Sequence, residues 1–176
     1  MLATNRRDEL LEGKQYKEAE ARHREAIAHD VGYAPAVNDL GRALAGAGDT
    51  AAGMQAYEQA ARLWQQQGSA DAKFALQNWG SLLLDGKQYK EAEARYREAI
   101  AQDPGYASAV SRLGWALAGA GDTAGAMQAY EQAAKLWQQQ GSADAKLALQ
   151  NWGSLLLDGK QYKEAEARLR EAIAQD

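Results

Sequence analysis

Fifteen residues, from Gly86 through Lys87-Gln88-Tyr89-Lys90-Glu91-Ala92 to Ile100, occur three times in this chain. The copies begin at Gly13, Gly86 and Gly159, a constant spacing of 73 residues, and differ only where His23, Tyr96 and Leu169 correspond. A chain that repeats itself at this period is an array. Each unit is too small to bury its apolar face alone and stacks on its neighbours to do so.

Within one period the apolar residues follow a helical spacing. Leu76, Trp79, Gly80 and Leu83 share one face, and Tyr89, Ala92, Tyr96, Ala99 and Ile100 form the face of a second helix. Val110, Leu113, Gly114 and Leu117, then Ala126, Tyr130, Ala133, Ala134 and Trp137, repeat the arrangement with other residues. Asp85-Gly86, Asp103-Pro104-Gly105 and Gly119-Ala120-Gly121 punctuate these helices, with the glycine at Gly86 expected to take the left-handed cap conformation. Asp122 or Thr123 is placed to cap the helix that follows. The expectation is five antiparallel helix pairs, about ten helices, over 1–33, 34–72, 73–106, 107–145 and 146–176, forming a single domain. The first pair is degenerate: Arg6-Arg7 and Glu9 stand where Trp79-Gly80 and Leu82 stand later, a polar face suited to a first helix. Trp64, Trp79, Trp137 and Trp152 are expected in the core.

The motifs Leu76-x2-Trp79-Gly80-x2-Leu83, Ala92-x3-Tyr96 and Pro104 resemble the tetratricopeptide repeat pattern. Val110-x2-Leu113-Gly114-x2-Leu117 with Ala126-x3-Tyr130 resembles it again. Repeats alternate between 34 residues (73–106) and 39 residues (107–145), and the Tyr-Lys-Glu-Ala-Glu-Ala wording is similar to the longer repeats of kinesin light chains. The resemblance implies an all-α right-handed solenoid whose first helices line a concave groove for peptides. It implies a non-enzymatic protein-interaction scaffold.

Composition narrows the alternatives. A net charge of −4 without a basic stripe argues against nucleic acid. No apolar run is long enough to span a bilayer, and no apolar run follows Arg6-Arg7 as a secretory signal requires. The absence of cysteine fits a reducing compartment, so a cytoplasmic location is expected. His23 occupies the slot of Tyr96, and His29 that of Gln102, so neither suggests a metal ligand; no cofactor, metal or catalytic residue is expected. Gly46-Ala47-Gly48-Asp49 and its copy at Gly119 follow no strand and read as helix caps rather than phosphate loops.

Comparing 13–85 with 86–158 locates the candidate site. The two spans differ at eleven positions. Pro35/Ser108, Asn38/Ser111, Asp39/Arg112 and Arg42/Trp115 are spaced as a helical stripe opposite the unchanged Val37, Leu40, Gly41 and Leu44, and Phe74/Leu147 joins the same stripe of the next first helix. The outer charged face around Lys87 to Arg95 barely varies, which favours a diversified groove over general surface drift. The candidate peptide-binding residues are Asn38, Asp39, Arg42, Gln77, Asn78, Ser81, Ser108, Ser111, Arg112 and Trp115. The carboxylate clamp that the resemblance implies is matched only by Asn78 and Arg112; Asn38, Arg42 and Ser108 depart from it. The expected ligand is a peptide or protein segment carrying an acidic group for Arg112 and an apolar side chain for Trp115, with Asp39 pairing with Arg42 upstream. The competing reading is a structural or self-assembling array without a dedicated ligand. Near-identity of the copies fits recent duplication and engineered repetition alike. The last helix is expected to expose Ala165, Leu169, Ala172 and Ile173 and to self-associate weakly there.

Overall fold

The computed structural model describes the backbone of residues 2–174 and the side chains of residues 13–174. Among these it is all-α, an array of helical hairpins: α1 (Leu2–His29), α2 (Ala34–Gly46), α3 (Thr50–Gln66), α4 (Ala72–Asp85), α5 (Tyr89–Gln102), α6 (Ala107–Gly119), α7 (Thr123–Gln139), α8 (Ala145–Asp158) and α9 (Tyr162–Ile173). Contacts divide the chain between Leu82 and Leu83 into two compact units.

In the first unit α1 packs on α2, and α2 on α3. Pro35 in the first turn of α2 supplies a φ suited to helix initiation. Asp49 caps α3, its side chain accepting from the Ala52 amide at 3.1 Å. Buried Ala34, Val37, Leu44, Ala56, Tyr57, Ala60 and Trp64 make the core. The Tyr57 ring lies on Gly41, where a β-carbon would meet it at 2.8 Å. Small residues set how closely α2 and α3 approach.

The second unit repeats this from α5 to α9, each helix packed on the next. Asp122 accepts from the Gly125 amide at 2.9 Å and caps α7. Tyr130 lies on Gly114 as Tyr57 does on Gly41. Val110, Ala133, Ala134, Ala148 and Leu149 form a buried cluster, with Ile100, Leu136, Trp137, Trp152 and Ala172 against it.

Nine helices are described rather than ten because α1 is continuous through Gly13, where the repeat pattern expects a turn. Later copies carry Trp79-Gly80 before that turn, an apolar surface on which a hairpin closes. Arg6-Arg7 offer no such surface, and the Lys, Gln, Glu and Ala flanking Gly13 favour continued helix. The hairpin turns also differ from expectation: Lys87 (φ 58°) and Lys160 (φ 59°) take the left-handed conformation, not Gly86 and Gly159. The turn closes through Lys87 N–H to Leu84 O (2.9 Å) and Gln88 N–H to Leu83 O (2.8 Å), which places the left-handed residue one position beyond the glycine.

Of the four tryptophans expected in the core, Trp64 is buried, while Trp79, Trp137 and Trp152 are half-buried. The Trp152 ring faces the Arg168 guanidinium at 4.6 Å. The expected exposed face of α9 is also corrected. Ala165 is buried, Leu169 covers Gly153 of α8, and Ala172 packs on the core cluster, because these residues close the α8–α9 hairpin itself. Ile173 remains open, 71% exposed, with Tyr162 at 64%.

Candidate functional site

The ten candidate residues divide between the two units, and their local chemistry differs. In the first unit Asn38, Asp39 and Arg42 lie on α2, and Gln77, Asn78 and Ser81 on α4. The Asn78 side-chain amide donates to the Asn38 side-chain oxygen at 3.1 Å. Arg42 pairs with Asp39 one turn away at 3.3 Å, as their spacing predicts. The Ser81 hydroxyl donates to the Gln77 carbonyl at 2.9 Å. The stripe therefore satisfies much of its own hydrogen bonding and charge. A cavity of about 560 Å³ lies beside it, lined by Tyr16, His23, Asp39, Arg42, Gly46 and Tyr57 among others. Burial pushes the Tyr57 hydroxyl up to about 12, an effect that Arg42 opposes and Asp39 reinforces.

In the second unit Ser108, Ser111, Arg112 and Trp115 lie on α6 and line an open groove of about 910 Å³. Its other wall is α8, through Leu147, Asn151, Ser154, Leu155 and Asp158. Ser111 is 7% exposed, so it forms floor rather than a free contact. Trp115 is 54% exposed and Leu147 49%, and they share this groove. Arg112 is exposed, and its guanidinium makes no ion pair with a carboxylate among the described residues. At the position of the Asp39–Arg42 pair, this copy thus has a free cation and an open indole. Beneath them, burial raises the pKa of Tyr106, an effect that Arg112 opposes and Asp103 adds to. Burial alone raises that of Tyr130, which lines the groove.

Asn151, Ser154 and Asp158 were not among the residues expected from sequence. Each is the 73-residue translation of Asn78, Ser81 and Asp85, so carrying the stripe one further period finds them. Asp85, Asp144 and Asp158 with Lys87 and Arg112 give the lining mixed charge. Among the described residues no group of three or more His, Cys, Asp or Glu is placed to hold a metal, and no helix is long and apolar enough to cross a membrane. The Gly46–Asp49 and Gly119–Asp122 segments are helix-ending turns, with left-handed Gly48 and Gly121 followed by the capping aspartates.

Residues 78–149 match the family model described as tetratricopeptide repeat. No curated protein matches the sequence. Among solved structures, MamA (41-end) from Desulfovibrio magneticus RS-1 is 20% identical, with a TM-score of 0.71 over 93% of this chain and 94% of its own. A Podosopora anserina putative kinesin light chain with nearly identical TPR-like repeats is 14% identical, with a TM-score of 0.71 over 97% and 90%. YrrB, described as a TPR protein with an unusual peptide-binding site, is 21% identical, with a TM-score of 0.68 over 93% and 79%. At these identities the likeness is one of fold.

Proposed function

Because the chain carries tetratricopeptide repeats, a fold that typically mediates protein–protein interaction, we propose that it is a non-enzymatic module holding an extended peptide segment in the groove of its second unit. The observation that carries this reading is the contrast between copies. Asp39 and Arg42 neutralise each other, whereas Arg112 and Trp115 stand open beside Leu147. The peptide-binding site ascribed to YrrB supports the same use of the fold.

Arg112 offers a planar donor fork to a carboxylate of the peptide. Trp115 and Leu147 take an apolar side chain, and Asn151 offers its amide to peptide backbone. The aspartates at the groove's edges limit how much negative charge the ligand carries. Exposed charged contacts are individually weak, so the expected affinity is micromolar, about −8 kcal/mol. Selection from a peptide library against the full chain, followed by titration of the selected peptide monitored by tryptophan fluorescence, tests this. The reading fails if the selected peptides bind an Arg112→Ala, Trp115→Ala variant with unchanged affinity.

A further inference from the structure

The segment Tyr16–Ile27 of α1 and the segment Tyr162–Ile173 of α9 are identical except for His23 and Leu169. The first is seated on α2. The Tyr16 ring lies over Gly46, where a β-carbon would approach it to 2.4 Å. The equivalent segment of α5 is seated on α6 in the same manner, with Tyr89 over Gly119 at 2.3 Å and Ile100 against the cluster containing Val110. The third copy has the same plug and no socket. Tyr162 and Ile173 are open where Tyr89 and Ile100 are half-buried.

We propose that α9 of one copy of this chain docks on α2 of a second copy, taking the seat that α1 occupies there and linking the copies head to tail. Chemistry favours the exchange at the one differing position. His23 is half-buried in α1, and the corresponding Tyr96 of α5 is fully buried. Leu169 brings an apolar group to a site where histidine must be desolvated. Against it stands the high effective concentration of α1, tethered in the same chain, so exchange depends on protein concentration. Plug and socket are different surfaces, so the contact is heterologous and adds copies without closing at two unless a ring forms. Tyr162 would cover Gly46, and Ile173 would reach the apolar face of α2 as Ile27 does.

Sedimentation velocity of the full chain over a thousandfold range of concentration tests this. The expected result is a weight-average mass that keeps rising past that of a dimer. Tyr162→Lys with Ile173→Lys changes two side chains that are exposed in the monomer. This variant is expected to keep the helical circular dichroism of the parent and to associate at least tenfold more weakly. A Gly46→Leu variant, which fills the socket, is expected to lose association as well; mixed with the Lys variant it forms a dimer, one intact plug entering one intact socket. The proposal is overturned by a parent chain that stays monomeric throughout, by association that stops at a dimer, or by association unchanged in the Lys variant. It is overturned too if folded Gly46→Leu still polymerises, since α9 then meets another surface. Should Gly46→Leu not fold, the mass distribution and the Lys variant decide alone.

Discussion

Tyr89 and Gly119 meet so closely that a β-carbon on the glycine would lie 2.3 Å from the tyrosine ring, and Tyr16 and Gly46 repeat the relationship at 2.4 Å. The conserved distance between α5 and α6, and between α1 and α2, thus depends on a missing methyl group. Gly119→Ala is expected to destabilise the chain by about 1–2 kcal/mol, the cost of overpacking exceeding the ~1 kcal/mol that alanine contributes to helix formation. Urea unfolding measures this. Equal or greater stability would mean that the ring moves aside freely.

Lys87 and Lys160 occupy left-handed turns whose hydrogen bonds are the same as those closing at Gly48 and Gly121. A side chain in that conformation costs roughly 1–2 kcal/mol relative to its usual regions, part of which glycine returns as unfolded-state entropy. Lys87→Gly is expected to raise stability by about 0.5–1 kcal/mol and the double change with Lys160→Gly by up to twice that. A lower midpoint in denaturant would show that the Lys87 side chain makes a compensating contact.

Buried Tyr57 and Tyr130 resist ionisation, Tyr57 up to about pH 12. Their pKa values in the folded chain exceed the ordinary value near 10, so unfolding releases protons above that pH. The stability they contribute is complete below pH 10 and is lost as pH rises toward 12, at up to ~1.4 kcal/mol per pH unit per tyrosine. Thermal melts from pH 8 to 11.5 should show the decline starting near 10. In Tyr130→Phe the slope is expected to be shallower, although the variant starts from a different baseline stability.

Exchanging Arg112→Asp and Trp115→Arg gives the second unit the stripe of the first. The new pair is expected to neutralise itself as Asp39 and Arg42 do, and to weaken peptide binding at least tenfold while unfolding free energy moves by less than about 0.5 kcal/mol. Isothermal titration beside urea unfolding separates the two effects. Binding that survives the exchange would assign the ligand to a different surface.

A good part of the molecule was legible from sequence because it rests on local rules. Helix periodicity, the capping aspartates Asp49 and Asp122, and the glycines that end α2 and α6 act within a few residues, and the 73-residue period repeats their effect. The Asp39–Arg42 pair was legible for the same reason, being one helical turn apart. Tertiary structure decided the rest. Whether Gly13 breaks a helix depends on an apolar partner to fold back upon, which Arg6-Arg7 do not supply. The left-handed residue is Lys87 because the turn's hydrogen bonds select its position, whatever the neighbouring glycine prefers. Leu169 and Ala165 face inward because α8 presents Gly153 and its neighbours to them, leaving Tyr162 and Ile173 outside. The groove of the second unit exists because α6 and α8 set Arg112 and Trp115 opposite Leu147 and Asn151. Those positions are related in the sequence by a period and meet only through packing.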